Sequence, residues 1–326
     1  MKHTVTLFSA LGRRLNGLGN DARSRDAIRN ACAANAWFTP EEIRRSAAAI
    51  TRHMLQPEAL TAWLARYPVP VATPRRVLVI TAGNIPLVGF FDLLCVLAAG
   101  HRCLIKPATK DRALTEYIVG QLLELDPSCP VAMYDGEEAV EAVIATGGDN
   151  AVRHFRTRYA GIPALLRGHR QSVAVLSGKE TPEQLAALGD DIRAYAGMGC
   201  RSVSMIWLPR GYKPQLNMPP AHPKYRNNYL RERALLEMTQ TPYTDLGESV
   251  AVEQREFPTA LSRIAFARYD TLEEVTAWLA AHDEELQCVV AECLPHSRRV
   301  GFGCTQSPGL DDWPDACDVL QWLTTL

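Results

Sequence analysis

A thiol set among glycines, Gly197-Met198-Gly199-Cys200, separates an amphipathic helical stretch from an apolar strand-like run. A cysteine nucleophile needs exposure, backbone room and a lowered proton affinity. The glycines give room and a loop position gives access. The plain alternative is that Cys200 is a small buried residue, as free cysteines often are. That is the reading for most of the other cysteines, Cys95 among its leucines included. Asn84 follows the run Val77-Leu78-Val79-Ile80-Thr81, and Lys106 closes Leu104-Ile105-Lys106-Pro107. An Asn amide can donate to the oxyanion of an attacked carbonyl, a contact whose loss typically lowers rates ~100- to 1,000-fold. Asn84 is equally suited to capping a helix that starts at Pro86.

A Lys at a strand end can hold the ribose of a dinucleotide or simply be solvated. Thr146-Gly147-Gly148-Asp149, ahead of a helix, can offer backbone N–H groups to a pyrophosphate, although it is no GxGxxG fingerprint and also fits a plain turn. The basic, aromatic run Lys224-Tyr225-Arg226-Asn227-Asn228-Tyr229 suits a CoA phosphate or a carrier protein, or else a solvated helix face. Thiol, amide and strand-end lysine together point to covalent thioester chemistry coupled to hydride transfer.

These residues must be positioned by alternating strands and helices. Residues from about 22 to 66 read as helical, with Thr39-Pro40-Glu41-Glu42 as an N-terminal signal. Tyr67 to Pro74 form a proline-rich link. Val77 to Thr81 is a strand covered on both faces, Pro86 to Ala99 a helix closed by Gly100, and Cys103 to Ile105 a strand. The alternation continues through a helix near 112–125, a strand at Val131 to Tyr134, a helix from Glu137 and a strand at Val143 to Ala145. Such βαβ units build a doubly wound sheet that gathers ligands at its strand ends. A second unit opens at Ser172 to Leu176. It continues through a helix capped by Thr181-Pro182-Glu183-Gln184 and ended by Gly197, then a strand at Val203 to Leu208. Helices near 225–238 and 271–284 and a strand at Gln287 to Ala291 follow. Gly301 to Gly309 is a loop before a short last helix.

Composition sets the outer bounds. With 326 residues, 47% hydrophobic and 22% charged, the chain has the make-up of a two-domain globular protein. A net charge of −1 implies neither nucleic acid nor an anionic membrane surface as partner. The nine cysteines are odd in number, without a CxxC pair or zinc spacing, which fits reduced thiols in a cytoplasm and neither a disulfide framework nor a metal site. The first eight residues are broken by Thr and Ser and do not read as a signal peptide. The apolar run from Pro86 to Gly100 contains Asp92 and is too short to span a bilayer.

In Ala82-Gly83-Asn84-Ile85-Pro86-Leu87-Val88-Gly89-Phe90, Ile105-Lys106-Pro107, Ser172 to Gly178 and Gly197-Met198-Gly199-Cys200-Arg201, the chain resembles the long-chain acyl-CoA reductase family. That family includes the reductase of bacterial luminescence (LuxC-like) and lies within the aldehyde dehydrogenase superfamily. The resemblance covers most of the chain after residue 70. It implies an aldehyde dehydrogenase-like α/β fold: a doubly wound dinucleotide-binding domain with the N-terminal helices (1–171) and an α/β catalytic domain carrying the nucleophile and a C-terminal tail (172–326). By the same resemblance Cys200 is the acyl acceptor, and Asn84 with the Cys200 N–H forms the oxyanion hole. Lys106 contacts the adenine ribose, Gly147 and Gly148 pack the pyrophosphate, and Phe302 in Gly301-Phe302-Gly303 lies on the nicotinamide side.

Two departures sharpen the expectation. Hydrolytic relatives place a water-activating Glu where Val175 stands in Val175-Leu176-Ser177-Gly178-Lys179, so an acyl-cysteine here survives until hydride arrives. Where NAD-preferring members often carry an acid, this chain has Thr109 followed by Lys110, which favours NADPH over NADH. The expected activity is NAD(P)H-dependent reduction of an acyl-CoA or acyl-carrier-protein thioester to the aldehyde, with an acyl-activating enzyme as a partner. The same cysteine also serves an acyltransferase or thioesterase, and a non-catalytic scaffold of a lipid-synthesis complex is the third reading. The chain stops soon after the Gly-rich loop, so the usual C-terminal oligomerisation strand is expected to be absent and assembly stays open.

Overall fold

The computed structural model describes all 326 residues, in two units. The first comprises Met1–His169 with Ser307–Leu326. It opens with helices α1 (Lys2–Asn16), α2 (Ala22–Ala34), α3 (Pro40–Met54) and α4 (Pro57–Leu64). Then come β1 (Arg76–Ile80), α5 (Phe90–Ala99), β2 (Arg102–Lys106), α6 (Arg112–Leu125), β3 (Val131–Met133), β4 (Ala142–Thr146), α7 (Asp149–Arg158) and β5 (Ala164–Arg167). The strands pair in the order β3-β2-β1-β4-β5, all parallel. Val77, Leu78 and Val79 have no solvent exposure, as a central strand covered on both faces requires. Strand order reverses between β1 and β4, so a crevice is expected outside their carboxyl ends.

Two local expectations differ from the outcome. The helix placed from Pro86 begins at Phe90, because Leu87 takes a left-handed conformation (φ 59°) and Gly89 is the N-cap. A Cβ on Gly89 would lie 2.1 Å from Thr81 Cγ2, so only glycine lets the helix start there. No helix starts at Glu137: Asp135 accepts the Glu137 N–H in a tight turn, Gly136 is left-handed, and Glu138 and Glu141 pair with Arg102 and Arg76. Thr39 does cap α3, accepting the Glu42 N–H at 3.2 Å.

The second unit, Arg170–Gln306, holds β6 (Gln171–Val175), α8 (Pro182–Arg193), β7 (Val203–Pro209), α9 (Pro223–Met238), β8 (Thr244–Asp245), β9 (Val250–Glu253), β10 (Arg263–Tyr269), α10 (Leu272–Ala281), β11 (Leu286–Ala291) and β12 (Arg299–Val300). Its sheet runs β12-β11-β6-β7-β10-β9-β8, parallel except for the β8–β9 edge. The Thr181/Gln184 capping box opens α8 with both reciprocal bonds, and Leu185, Leu188 and Ile192 are buried on one face.

The last helix, α11 (Val319–Thr324), belongs to the first unit, so the expected grouping of 172–326 is corrected. The reason is apolar and local. Val319, Leu320 and Leu323 are buried in the same core as α5. Tyr67 donates to Asp318 at 2.8 Å, and the His101 ring, which accepts the Arg75 N–H, donates to the Leu323 carbonyl at 3.0 Å. No helix is long and apolar enough to cross a membrane.

Candidate active site

In the first unit the sequence-derived residues share one edge. Ile80 and Lys106 are register partners at the carboxyl ends of β1 and β2, and two bonds carry the pairing onward: Thr81 N–H to Lys106 O and Ala108 N–H to Thr81 O, both 3.2 Å. Lys106, Thr109 and Lys110 are exposed there. The nearest acid in sequence, Asp111, is turned inward at 1% exposure. At the end of β4, Gly147 donates to the Arg167 carbonyl at 3.1 Å, and a Cβ on it would stand 2.9 Å from Ala151 Cβ. Gly148 is the N-cap of α7 and supplies no side-chain cap; nothing lies within 4 Å of where its Cβ would be. The first-turn N–H groups of α7 are therefore open to an anion.

Asn84 lies in the half-buried turn beyond β1. It is five residues ahead of Gly89, the N-cap of α5, so the capping alternative is removed. Sequence reasoning missed the residues that shape this turn. Asn35 Nδ2 donates to the Gly83 carbonyl at 2.9 Å and Ser46 Oγ to the Pro86 carbonyl at 2.8 Å. The Asp111 carboxylate accepts the Leu87 N–H at 3.2 Å. Burial pushes the Asp111 carboxyl up to about 8, against the smaller opposing effect of that bond. One signal was legible: Ser46 is a polar residue on the buried stripe of Ile43, Ala47 and Ile50.

In the second unit Cys200 is exposed, not a core residue. After α8 the backbone turns through left-handed Tyr195, Ala196 and Gly197 (φ 52°, 52° and 66°). Such non-glycine conformations cost about 1–3 kcal/mol each and persist only where packing dictates them. Tyr195 and Ala196 are buried, and a Cβ on Gly197 would lie 3.2 Å from the Ile192 carbonyl. Ser172, on β6, donates to the Cys200 carbonyl at 2.9 Å, and Ser202 N–H closes the turn on Gly199 at 3.0 Å.

Phe302 is half-buried against the core beneath α8. Its loop is held by buried Asp191, which accepts from Gly303 N–H (2.6 Å), Thr305 N–H (3.1 Å) and Thr305 Oγ1 (2.7 Å). Burial raises the Asp191 carboxyl while these donors lower it. Gln306 Nε2 reaches Ser202 Oγ at 3.1 Å, so α8 and Gln306 tie together the loops of Cys200 and Phe302.

Val175 pairs with Trp207 near the carboxyl end of β6, three residues beyond Ser172, or about 10 Å along the strand. It is 1% exposed and carries no carboxylate. On α9, Tyr225 and Tyr229 are buried on Ser249 and Asp245, whereas Lys224, Arg226 and Asn227 are exposed, with Arg226 paired to Glu248.

A model of the acyl-CoA reductase (LuxC) family matches residues 20–285. The chain belongs to that family. It is an oxidoreductase with an aldehyde dehydrogenase-like fold. No curated protein matches its sequence. This acyl-CoA reductase family member is similar to an oxidoreductase from Marinobacter aquaeolei (TM-score 0.66, 13% identity, covering 98% of this chain and 84% of that one). It is also similar to an acetylating aldehyde dehydrogenase from Geobacillus thermoglucosidasius (0.64, 11%, 95% and 83%). A third likeness is to the NAD+ complex of an aldehyde dehydrogenase from Bacillus cereus (0.55, 13%, 85% and 68%). No cluster of three His, Cys, Asp or Glu side chains suited to a metal ion is present in the acyl-CoA reductase chain.

Proposed function

We propose that the protein reduces an acyl thioester, carried by CoA or an acyl carrier protein, to the aldehyde through an acyl-Cys200 intermediate. The observation that carries this reading is the exposed Cys200 thiol on a loop fixed by a left-handed turn and by Ser172. Family membership supports this substrate class. In the reaction, the Cys200 thiolate attacks the acyl carbonyl. The Asn84 amide and the Cys200 N–H donate to the oxyanion, and the carrier thiolate departs without much help from an acid because it is a good leaving group. Val175 stands where hydrolytic relatives carry the water-activating Glu, and Glu180 is committed to Ser177 and Gly178, so water attack on the acyl-cysteine is slow.

A nicotinamide dinucleotide supplies the hydride when bound. The residues at the first sheet's edge suit one: open N–H groups at the start of α7, with Lys106 at the end of β2. Lys110 and Thr109, beside an Asp111 that faces inward, favour the 2′-phosphate of NADPH. Phe302 is proposed to lie against the nicotinamide. A cytoplasmic setting and an acyl-activating partner enzyme are part of the same proposal. The test is NADPH oxidation with a panel of acyl-CoAs, with aldehyde as product and loss of activity in Cys200→Ala. Full activity in that variant contradicts the mechanism.

A further inference from the structure

We propose that Ser46, Asn35 and Asp111 are positioning residues that fix the Asn84 amide, so that α2 and α3 take part in catalysis from outside the crevice. The inference rests on the reading of Asn84 as oxyanion donor and deepens it.

The loop from Gly83 to Gly89 has no strand or helix to hold it, so its backbone groups must be satisfied otherwise. The carbonyl just before Asn84 accepts from Asn35 Nδ2, and the carbonyl two residues after it accepts from Ser46 Oγ. The next N–H, that of left-handed Leu87, goes to Asp111. The three side chains are 3%, 7% and 1% exposed, so each bond forms out of competition with water. Asn35 is itself immobilised, because its Oδ1 accepts the Trp37 N–H at 3.1 Å and so fixes which way its amide points. Pins on both sides leave the Asn84 backbone little freedom. An oxyanion donor needs this, since a displacement of ~1 Å can lower a rate ~100-fold. A buried carboxyl devoted to one backbone N–H destabilises the fold once it ionises, so stability alone gives it little reason to be there.

The test is a double-mutant cycle on the full chain, with kcat, acyl-CoA KM and NADPH affinity measured separately. Asn84→Ala is expected to lower kcat at least ~100-fold. Ser46→Ala, in a helix that alanine favours, is expected to lower kcat about tenfold with KM and NADPH affinity changed less than about twofold. In the Asn84→Ala background the same change should shift kcat by less than about twofold, because its route to the reaction is already gone. Asn35→Asp keeps the acceptor for Trp37 but sets a buried carboxylate oxygen against the Gly83 carbonyl in place of the donor, and should lower kcat in the same Asn84-dependent way. Equal losses in both backgrounds, no loss in either, or loss of folded protein in both variants would assign these contacts to stability and overturn the proposal. An Asn84→Ala enzyme with normal kcat places the failure one step earlier, in the oxyanion reading itself.

Discussion

Replacing Asp111 by Asn should make the protein more stable in alkali and leave it nearly unchanged in acid. The carboxyl is 1% exposed, with the Leu87 N–H as its hydrogen-bond donor, and burial raises it from 3.8 to about 8. A carboxyl raised in the folded state binds its proton more tightly there than in the unfolded chain. Its contribution is therefore complete below about pH 4, is lost as pH rises towards 8, and stays lost above that. At ~1.4 kcal/mol per pH unit, the window sets a ceiling of ~6 kcal/mol. An effective interior dielectric nearer ~20 than ~4, with local relaxation, brings the expected difference down to about 2–4 kcal/mol. Asparagine keeps an oxygen for the Leu87 N–H and carries no charge. Urea unfolding of both proteins between pH 5 and pH 9 isolates the effect, because Asp191 and His101 titrate alike in each. The stability difference should favour Asp111→Asn progressively up to about pH 8 and then level off. A difference that is flat with pH, or a variant less stable at pH 9, refutes the account of this carboxyl.

Three further outcomes follow from the same geometry. Lys110→Glu exchanges a cation for an anion beside the proposed 2′-phosphate site. The kcat/KM ratio of NADPH over NADH should fall at least ~10-fold, and an unchanged ratio removes Lys110 from cofactor choice. Asp191→Ala frees three donors in the Gly303–Thr305 loop and should cost about 3 kcal/mol, seen as a Tm lowered by roughly 10 °C, with activity falling as Phe302 loses its support. Unaltered melting would show that the loop is held by other means. Gly89→Ala forces a Cβ onto Thr81 Cγ2 and should destabilise by about 1–3 kcal/mol. Adding Thr81→Ser, which deletes that methyl but leaves the Cβ of residue 81 at 2.9 Å, should recover part of the loss; no recovery would locate the strain elsewhere.

The parallel strands of the first unit were legible because β-branched runs bounded by turn residues have few other uses. The caps at Thr39 and Thr181 were legible because a side-chain oxygen three residues before an exposed N–H acts locally. What could not be read is what distant groups impose. Nothing in Pro86-Leu87-Val88-Gly89 announces that Asp111 will claim the Leu87 N–H and delay the helix to Phe90. The helix from Glu137 fails because Asp135 and two arginines compete for the same residues. Strand β10 is readable from the apolar run Ile264-Ala265-Phe266-Ala267, buried on both faces of the sheet. Strand β5 was not readable, since Ala164 to Arg167 carries no β-branched residue. Cys200 and Asn84 stood out by type and setting, whereas Asn35, Asp111 and Asp191 act on backbone groups up to 114 residues away.

The most direct test of the central claim is to trap the acyl-enzyme. The protein is mixed with an acyl-CoA and no nicotinamide cofactor, and the adduct is located by peptide mass spectrometry. Cys304, the other exposed thiol, is the internal control. The account predicts one acyl group on the Cys200 peptide, retained in Cys304→Ala, absent in Cys200→Ala, and released as one equivalent of aldehyde when NADPH is added. An adduct on Cys304, or turnover by an enzyme that never carries acyl on Cys200, contradicts it.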